Sequence, residues 1–343
     1  MQLRRYDYSS ERPAGQLIEF LDSTLRQDAG FSVREEYPSL FGEYPGGESW
    51  LIENDGRPAS HLGIVVREFR HPAYRVKIGL IGSVVTAPEF RSHGMASLLI
   101  REALTALKRR GVAVCVLWSD ASEFYRPFGF FRAGHEIDFK FSFSSVAGVP
   151  DINDQVMPYQ PERHAHLTWH LYQRHEVKVD RSLEEHKRLM QIPRSRTFVT
   201  EREGKVTSYI VENKGADFEN YIHEWGGPIL EVRRNLAWVQ TRVMADRHLT
   251  LIAPAHYDLE PLRTIAVRRW EGVLGLINVL DRRAVLRAYA DFLRASGESE
   301  GLGTVPEKDF DLIRKVFGAG GEMTEGGSSS PRLPFFLWGF DSI

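Results

Sequence analysis

Residues 80–131 read LIGSVVTAPEFRSHGMASLLIREALTALKRRGVAVCVLWSDASEFYRPFGFF, and this stretch decides the fold. An apolar run that ends at Thr86 is followed by the basic glycine loop 91–96 and then by apolar residues at helical spacing. A glycine lets backbone N–H groups approach a ligand closely, and the start of a helix carries partial positive charge. The stretch therefore predicts a strand, a loop and a helix that together bind a pyrophosphate.

A second element follows at a fixed distance. The apolar run 112–118 predicts a fully buried strand, and the aromatic turn SDASEFYRPFGF comes directly after it. One short glycine loop is weak evidence, because an ordinary crossover in an α/β protein often carries glycine by chance. The aromatic turn at this distance downstream is not explained by that alternative.

Taken together, the two elements resemble the Gcn5-related N-acetyltransferase (GNAT) superfamily over about residues 45–143. The acetyl-CoA motif of that superfamily, Arg/Gln-x-x-Gly-x-Gly/Ala, is matched by Arg91, Gly94 and Ala96. Its downstream motif, Ala-x-x-x-Tyr followed by Gly-Phe, is matched by Ala121, Tyr125, Gly129 and Phe130.

The resemblance implies acetyl-CoA as cosubstrate, entering where the parallel strands 78–86 and 112–118 separate. Backbone N–H groups at Val84, Val85 and Thr86 would then face the thioester and the pantetheine arm, and fixed donors there polarise the carbonyl. The expected pyrophosphate contacts come mainly from backbone groups of the loop residues Arg91, Ser92, His93, Gly94, Met95, Ala96 and Ser97. Tyr125 is the expected general acid, because a phenol with a pKa of about 10 stays protonated at neutral pH.

In the first domain we expect a mostly helical segment 1–44, a hairpin turn at Asn54-Asp55-Gly56 and a strand over residues 137–144 that closes the sheet. The same order of elements recurs after the proline-rich stretch 150–161, with a second hairpin around Gly204-Lys205. The glycine- and serine-rich stretch 318–330 is expected to be mobile. We expect an α/β (α+β) protein with two tandem GNAT folds, each with a mixed central sheet, and a small C-terminal α+β region. The predicted domains are 1–150, 151–261 and 262–343. In the second copy Gly226-Gly227-Pro228 stands where the basic loop would be, so we expect one cofactor site. This plan is similar to that of the enhanced intracellular survival protein family, with a shortened sterol-carrier-like region at its end.

The motifs supply an acid but no obvious base. Asp120 and Glu123 lie near Tyr125 in sequence, and the first segment adds a set of acidic residues: Asp28, Glu35, Glu36 and Glu43. The sequence ends in the aromatic run PFFLWGFDSI, which we expect to be buried because its apolar surface is costly to hydrate. The resembled family uses its terminal carboxylate as the base, so Ile343 is a candidate catalytic residue. The alternative is a tail that only docks, with Asp341 capping a turn.

Composition excludes other classes of protein. The 343 residues carry a net charge of −2, which gives no general attraction to nucleic acid or to anionic lipid. No apolar run is long enough to span a bilayer. The single cysteine, Cys115, lies in an apolar run and is expected to be a small buried residue of a cytoplasmic protein. His166 and His170 have the i, i+4 spacing of zinc ligands, but Leu167 stands where a metalloprotease has glutamate, so no metal site is expected.

These inferences predict an acetyl-CoA-dependent N-acetyltransferase that modifies a primary amine of a small molecule or peptide by direct attack. Two alternatives remain open: an aminoacyl or fatty-acyl transferase with the same duplicated fold, and a non-catalytic sensor that binds CoA or an amine. The sequence leaves the acceptor and any homo-oligomeric state undetermined.

Overall fold

The computed structural model describes residues 2–7, 15–42, 46–150, 155–297, 304–318 and 332–343. The chain divides into two compact units, of which the first comprises Met1–Gly134, Val273–Phe335 and Asp341–Ile343. The second comprises His135–Gly272 and Phe336–Phe340. The predicted domain boundaries at residues 150 and 261 do not coincide with the borders of these units.

Both units combine helices and strands. The strands are β1 (Gln2–Asp7), β2 (Gly47–Asn54), β3 (Arg57–His71), β4 (Tyr74–Thr86), β5 (Val114–Leu117), β6 (Phe131–Ala133), β7 (Glu136–Phe141), β8 (Val156–Pro158), β9 (Arg196–Arg202), β10 (Lys205–Lys214), β11 (Asp217–Gly226), β12 (Leu249–Pro254), β13 (Arg268–Gly272) and β14 (Gly275–Val279). The helices are α1 (Gly15–Leu25), α2 (Val33–Glu36), α3 (Pro38–Phe41), α4 (Met95–Arg109), α5 (Ser122–Tyr125), α6 (Phe143–Val146), α7 (Pro161–Gln173), α8 (Leu183–Leu189), α9 (Ile229–Arg242), α10 (Glu260–Arg263), α11 (Arg282–Ala295) and α12 (Asp309–Phe317). Among the described helices, none has both the length and the apolar character that crossing a bilayer requires.

The first unit contains a mixed sheet in the order β1-β2-β3-β4-β5-β14-β6. Only β4 and β5 run parallel along this path, and α4 is the crossover between them. Helix α4 buries Met95, Leu99 and Ala103 on one face, as its spacing predicts. The predicted hairpin turn is confirmed, because Asp55 and Gly56 both have positive φ, at 50° and 73°.

The second unit repeats this plan, with a mixed sheet in the order β13-β7-β12-β11-β10-β9-β8. Its parallel pair is β11 and β12, and α9 connects them. The predicted hairpin around Gly204 is confirmed between β9 and β10. Two mixed sheets, each with one parallel pair and its crossover helix, confirm the predicted fold class.

Two strands lie in a different sheet from the one their sequence position suggests. Residues 137–144 were expected to close the first sheet, but β7 pairs with β12 and β13 in the second. Conversely, β14 comes from the predicted third region and lies between β5 and β6 in the first sheet. An alternating pattern predicts a strand but not its partner, because pairing depends on contacts between distant residues.

The N-terminal strand β1 was missed, since the segment 1–44 was expected to be mostly helical. Its residues QLRRYD are largely exposed and charged, so they lack the apolar alternation of a typical strand. The ladder with β2 and two ion pairs on it stabilise β1: Arg4 Nε lies 2.9 Å from Glu53 Oε2, and Arg5 Nε lies 2.8 Å from Glu48 Oε2.

The aromatic tail is buried, as expected. In the first unit Phe335 packs against Phe69 and Phe317, with ring centroids 4.6 and 5.2 Å apart. In the second unit Trp338 is fully buried and donates from Nε1 to the Val177 carbonyl at 3.1 Å. Most of the preceding glycine- and serine-rich stretch, expected to be mobile, lies outside the described residues.

Replacing Phe335 with alanine should destabilise the first unit by about 3–5 kcal/mol, because the change leaves a cavity between Phe69 and Phe317. Equilibrium denaturation in guanidinium chloride measures this loss. The matched control is Phe143→Ala, since the Phe143 side chain is 50% exposed. Equal small effects of both changes would mean that the tail contributes little to stability.

Candidate active site

The first unit has an opening in its sheet where β4 and β5 separate. Their pairing runs from Ile78 and Val114 to Ile81 and Leu117, where β5 ends. Strand β4 continues to Thr86 beside β3. Ligands of open α/β sheets bind outside the carboxyl ends of such strands. The predicted cofactor residues Val84, Val85 and Thr86 all lie on β4 beyond the last pair.

The same part of β4 contains a bulge. The register with β3 shifts between His61 and Gly63, and Ser83 adopts a left-handed conformation with a φ of 49°. The His61 ring is fully buried, with Nδ1 2.7 Å from the Ser83 carbonyl and Nε2 2.6 Å from Ser49 Oγ. Burial lowers the pKa of His61 to about 4, so the ring is neutral. Neither His61 nor Ser83 was predicted from the sequence, since a histidine within a strand has no distinctive spacing.

The glycine loop leads directly into α4. Gly94 is the N-cap of the helix with a φ of 75°, and it provides no side-chain hydrogen bond. The first N–H groups of the helix, at Met95, Ala96 and Ser97, therefore depend on an acceptor from elsewhere. Arg91 and Gly94 are exposed, whereas the Met95 side chain is buried in the core. His93 Nδ1 lies 2.7 Å from the Arg91 carbonyl, within the loop itself.

Tyr125 ends α5 and is buried with 6% exposure. It belongs to the same apolar cluster as Ile81 and Leu117, the last pair before the opening. Burial raises the pKa of Tyr125, and a hydrogen bond with the Ser119 side chain partly offsets this effect. The phenol is therefore protonated at neutral pH and can donate a proton.

A distant residue holds the turn after Tyr125. Asn278 on β14 donates from Nδ2 to the Phe128 carbonyl at 2.7 Å. A Cβ added to Gly129 would lie 3.2 Å from the same nitrogen, so this glycine allows a close approach. Asn278 was not predicted to lie near Tyr125, because its position in the sequence falls in the predicted C-terminal region 262–343.

A cavity of about 360 Å³ lies at the carboxyl end of β5. Its lining residues are Trp118, Ser119, Asp120, Arg132, Val273, Gly275 and Leu276. Ser119, whose side chain partly offsets the rise in the pKa of Tyr125, also lines this cavity. The cavity therefore combines residues that follow β5 with residues that start β14.

The last residue of the sequence also lies at the opening. Gly82 is the first β4 residue beyond the last β4–β5 pair, and a Cβ added there would collide with the carbonyl carbon and oxygen of Ile343. It would also lie 3.0 Å from Ile343 Cγ1. The structure thus places the carboxyl group of Ile343 against the strand that carries Val84 and Val85.

The other candidate bases are engaged or exposed. Glu36 is fully buried and forms an ion pair with Arg26. Glu35 accepts from the Ser32 N–H at 2.9 Å and closes a capping box. Glu123 is exposed and lies 3.5 Å from Arg126. Asp28 and Asp120 are exposed, and Glu43 lies outside the described residues.

The helix histidines contact other groups or lie on the surface. His164 pairs with Glu201 at 3.1 Å, and His175 contacts the Trp225 carbonyl at 2.8 Å. His166 and His170 lie with their Nε2 atoms 3.1 Å apart on the surface. Within the described parts of the chain, no group of three His, Cys, Asp or Glu residues is arranged to hold a metal ion.

The second unit differs from the first at the equivalent place. Trp225 lies on β11 beyond the last β11–β12 pair and donates from Nε1 to the Ile252 carbonyl of β12 at 3.1 Å. Strand β11 then passes through Gly227, with a φ of 110°, almost directly into α9. The second unit therefore has an indole across its opening and no loop equivalent to residues 91–96.

Comparison with known proteins gives one family match and several structural ones. Residues 15–133 match the family described as an acetyltransferase (GNAT) domain. No curated protein resembles the chain closely enough in sequence to count as a match.

Solved structures share the fold over most of the chain. A probable N-acyltransferase from Enterococcus faecalis has a TM-score of 0.64 at 15% identity, covering 83% of this chain and 74% of its own. A GCN5-related N-acetyltransferase from Kribbella flavida has a TM-score of 0.57 at 16% identity, with coverages of 83% and 74%. Eis1 from Mycobacterium abscessus has a TM-score of 0.54 at 16% identity, with coverages of 83% and 75%. The shared fold thus extends well beyond the matched domain.

Replacing Gly94 with valine should weaken CoA binding by about tenfold or more. A residue with a Cβ is less stable in the left-handed conformation by about 1–2 kcal/mol, so the loop would rearrange. Calorimetry with CoA measures the dissociation constant. The fold should persist, because no atom lies within 4 Å of an added Cβ.

The matched control is Gly111→Val at the other end of α4. Gly111 has a φ of 73° and equally open surroundings, so the strain is similar but distant from the loop. Unchanged CoA affinity in a folded Gly94→Val protein would show that the loop does not bind the cofactor.

Proposed function

We propose that this protein moves an acetyl group from acetyl-CoA to a primary amine, because residues 15–133 match an acetyltransferase (GNAT) domain and enzymes with this domain use acyl-CoA. The acceptor is a small molecule or a peptide. One observation carries the proposal: the opening between β4 and β5 brings together the bulged backbone, the buried Tyr125 and the carboxyl group of Ile343.

In the proposed complex the pyrophosphate of acetyl-CoA lies at the start of α4. The uncapped N–H groups of Met95, Ala96 and Ser97 donate to it, and the helix dipole adds to the attraction. Arg91 is exposed at the edge of the loop and contributes positive charge. The pantetheine arm then follows β4 into the opening.

The thioester carbonyl lies beside Val84 and Val85. Beyond Ile81 the backbone of β4 has no ladder partner from β5, so N–H groups on that side can donate to the thioester oxygen. Such fixed donors stabilise the negative charge that develops when the amine nitrogen attacks the carbonyl carbon.

Tyr125 acts as the general acid. As the new C–N bond forms and the C–S bond breaks, its hydroxyl donates a proton to the departing thiolate sulfur. Burial raises the pKa of Tyr125, which keeps that proton in place at neutral pH.

In a chain that ends at Ile343, its α-carboxylate is the proposed base that takes the proton from the attacking amine. A free α-carboxyl group has a pKa of about 3.5, so it is ionised at neutral pH and accepts the proton directly or through a water molecule. Its contact with Gly82 supports this role, as does the engagement of Glu35, Glu36 and Glu123 elsewhere.

Release of CoA from acetyl-CoA, measured across aminoglycosides, polyamines, peptide N-termini and lysine, tests the function. Tyr125→Phe should lower kcat about 10²-fold, as expected for loss of a general acid, with little change in acetyl-CoA affinity. Tyr289→Phe is the control, because it removes another buried tyrosine hydroxyl of the same unit.

Binding of acetyl-CoA without turnover on any amine would instead indicate a sensor. Faster turnover with longer acyl-CoA donors than with acetyl-CoA would indicate that the enzyme transfers a longer acyl group instead of acetyl. Equal losses of stability and activity in Tyr125→Phe would assign the tyrosine a packing role.

Adding Gly-Ser after Ile343 should lower kcat strongly while acetyl-CoA affinity is retained, because the carboxylate charge moves away from its place against Gly82. Ile343→Leu, which keeps the α-carboxylate, should retain activity. Normal turnover by the extended protein would exclude the terminal carboxylate from catalysis.

A further inference from the structure

The bulge in β4 depends on a strained residue. Ser83 has a left-handed φ of 49°, a conformation that a serine adopts only where its surroundings impose it. Ser83 directly follows Gly82, which contacts Ile343, and directly precedes Val84. The Ser83 hydroxyl is buried and has no hydrogen-bond partner among the described residues. Its own side chain therefore does not hold the bulge.

His61 on the neighbouring strand β3 makes a contact that can hold the bulge in place. His61 is fully buried on β3, and its Nδ1 lies 2.7 Å from the Ser83 carbonyl oxygen. A carbonyl oxygen only accepts, so Nδ1 must carry the proton and donate. In the neutral ring Nε2 is then the acceptor, and it takes a hydrogen bond from the Ser49 hydroxyl at 2.6 Å. The Ser83 carbonyl thus fixes the tautomer of His61, and the Ser49 hydroxyl, which can donate or accept, adapts to it.

This hydrogen bond also determines where the next N–H points. In a trans peptide the C=O and N–H groups point in opposite directions, and no described peptide bond is cis. Because the Ser83 carbonyl points towards His61 on β3, the Val84 N–H points to the opposite side of β4, where β5 would lie. On this β5 side β4 has no partner at Val84, since the β4–β5 pairing ends at Ile81 and Leu117.

From these contacts we infer that His61 is a positioning residue: its Nδ1–H holds the Ser83–Val84 peptide so that the Val84 N–H donates to the thioester carbonyl oxygen. The inference rests on the proposed acetyl transfer and adds a specific residue to it. His61 does not touch the substrate; it acts through the peptide that does. No bond to His61 forms or breaks during the reaction.

Two substitutions separate the two ring contacts of His61. In His61→Asn the side-chain amide reaches the position of Nδ1 and keeps the donor to Ser83. In His61→Gln the longer amide reaches the position of Nε2 and keeps only the contact with Ser49. In the Gln variant kcat should fall about tenfold. This loss is smaller than the fall of about 10²–10³ in kcat that follows complete removal of an oxyanion-hole donor, because the Val84 N–H is still present. The Asn variant should retain kcat within about threefold, and KM for acetyl-CoA should stay constant in both.

Infrared spectroscopy of acetyl-CoA with a ¹³C-labelled thioester carbonyl measures the polarisation directly and needs no acceptor amine. In the unaltered protein and in His61→Asn the bound carbonyl band should lie below that of free acetyl-CoA. In His61→Gln it should return most of the way to the free value. An identical band in the Gln variant and the unaltered protein would overturn the role of His61 while leaving acetyl transfer intact. Failure of the unaltered protein to bind acetyl-CoA would overturn the proposed function instead, and this inference with it.

His71→Gln is the matched control for loss of a buried histidine. His71 also lies on β3, is buried, and accepts from the Ala73 N–H at 3.1 Å. The control should lower the melting temperature without moving the carbonyl band or kcat. A comparable loss of kcat in His71→Gln would show that turnover follows general stability, and would overturn the inference.

A measurement on the unaltered protein covers the case in which the His61 variants do not fold. Nitrogen-15 NMR of histidine-labelled protein should show a buried neutral ring with its proton on Nδ1. A neutral His61 with the proton on Nε2 would be unable to donate to Ser83, which would exclude the proposed role.

Discussion

The candidate active site of the first unit depends on the point at which β4 and β5 stop pairing. Up to Ile81 and Leu117 the two parallel strands satisfy each other's backbone groups; beyond that pair β4 continues without β5. Unsatisfied backbone N–H groups in a protein interior are costly, so they favour a ligand that accepts hydrogen bonds. Tyr125, the cavity beside Ser119 and the carbonyl group of Ile343 all lie around this opening.

The two units show how one fold can keep or lose such a site. In the first, an eight-residue connection lies between Thr86 and Met95 and contains the glycine loop. In the second, β11 passes through Gly227 and Pro228 into α9, and the Trp225 indole bridges to the β12 carbonyl of Ile252. An indole thus lies where the first unit has an open strand end. The second copy retains the architecture without the glycine loop.

Most of the fold and the main motifs were predictable from local patterns. The hairpin at Asp55 and Gly56, the buried face of α4 and the position of Tyr125 all follow from turn chemistry, helical spacing or motif spacing. Strand β1 was not predictable in this way, because its charged residues are stabilised by a ladder and ion pairs with β2. The sheet to which β7 and β14 belong was also not predictable, since no local pattern names a partner strand.

By itself, then, the sequence determined the repeated order of elements, the glycine loop, the aromatic turn and the burial of the tail, because these depend on residues close together along the chain. Tertiary structure alone decided which distant residues complete the site. Asn278 reaches the Phe128 carbonyl across 150 positions, His61 reaches Ser83 across 22, and Ile343 contacts Gly82. Such contacts have no signature in spacing, because strand pairing and a β-bulge create them only when the sheet forms.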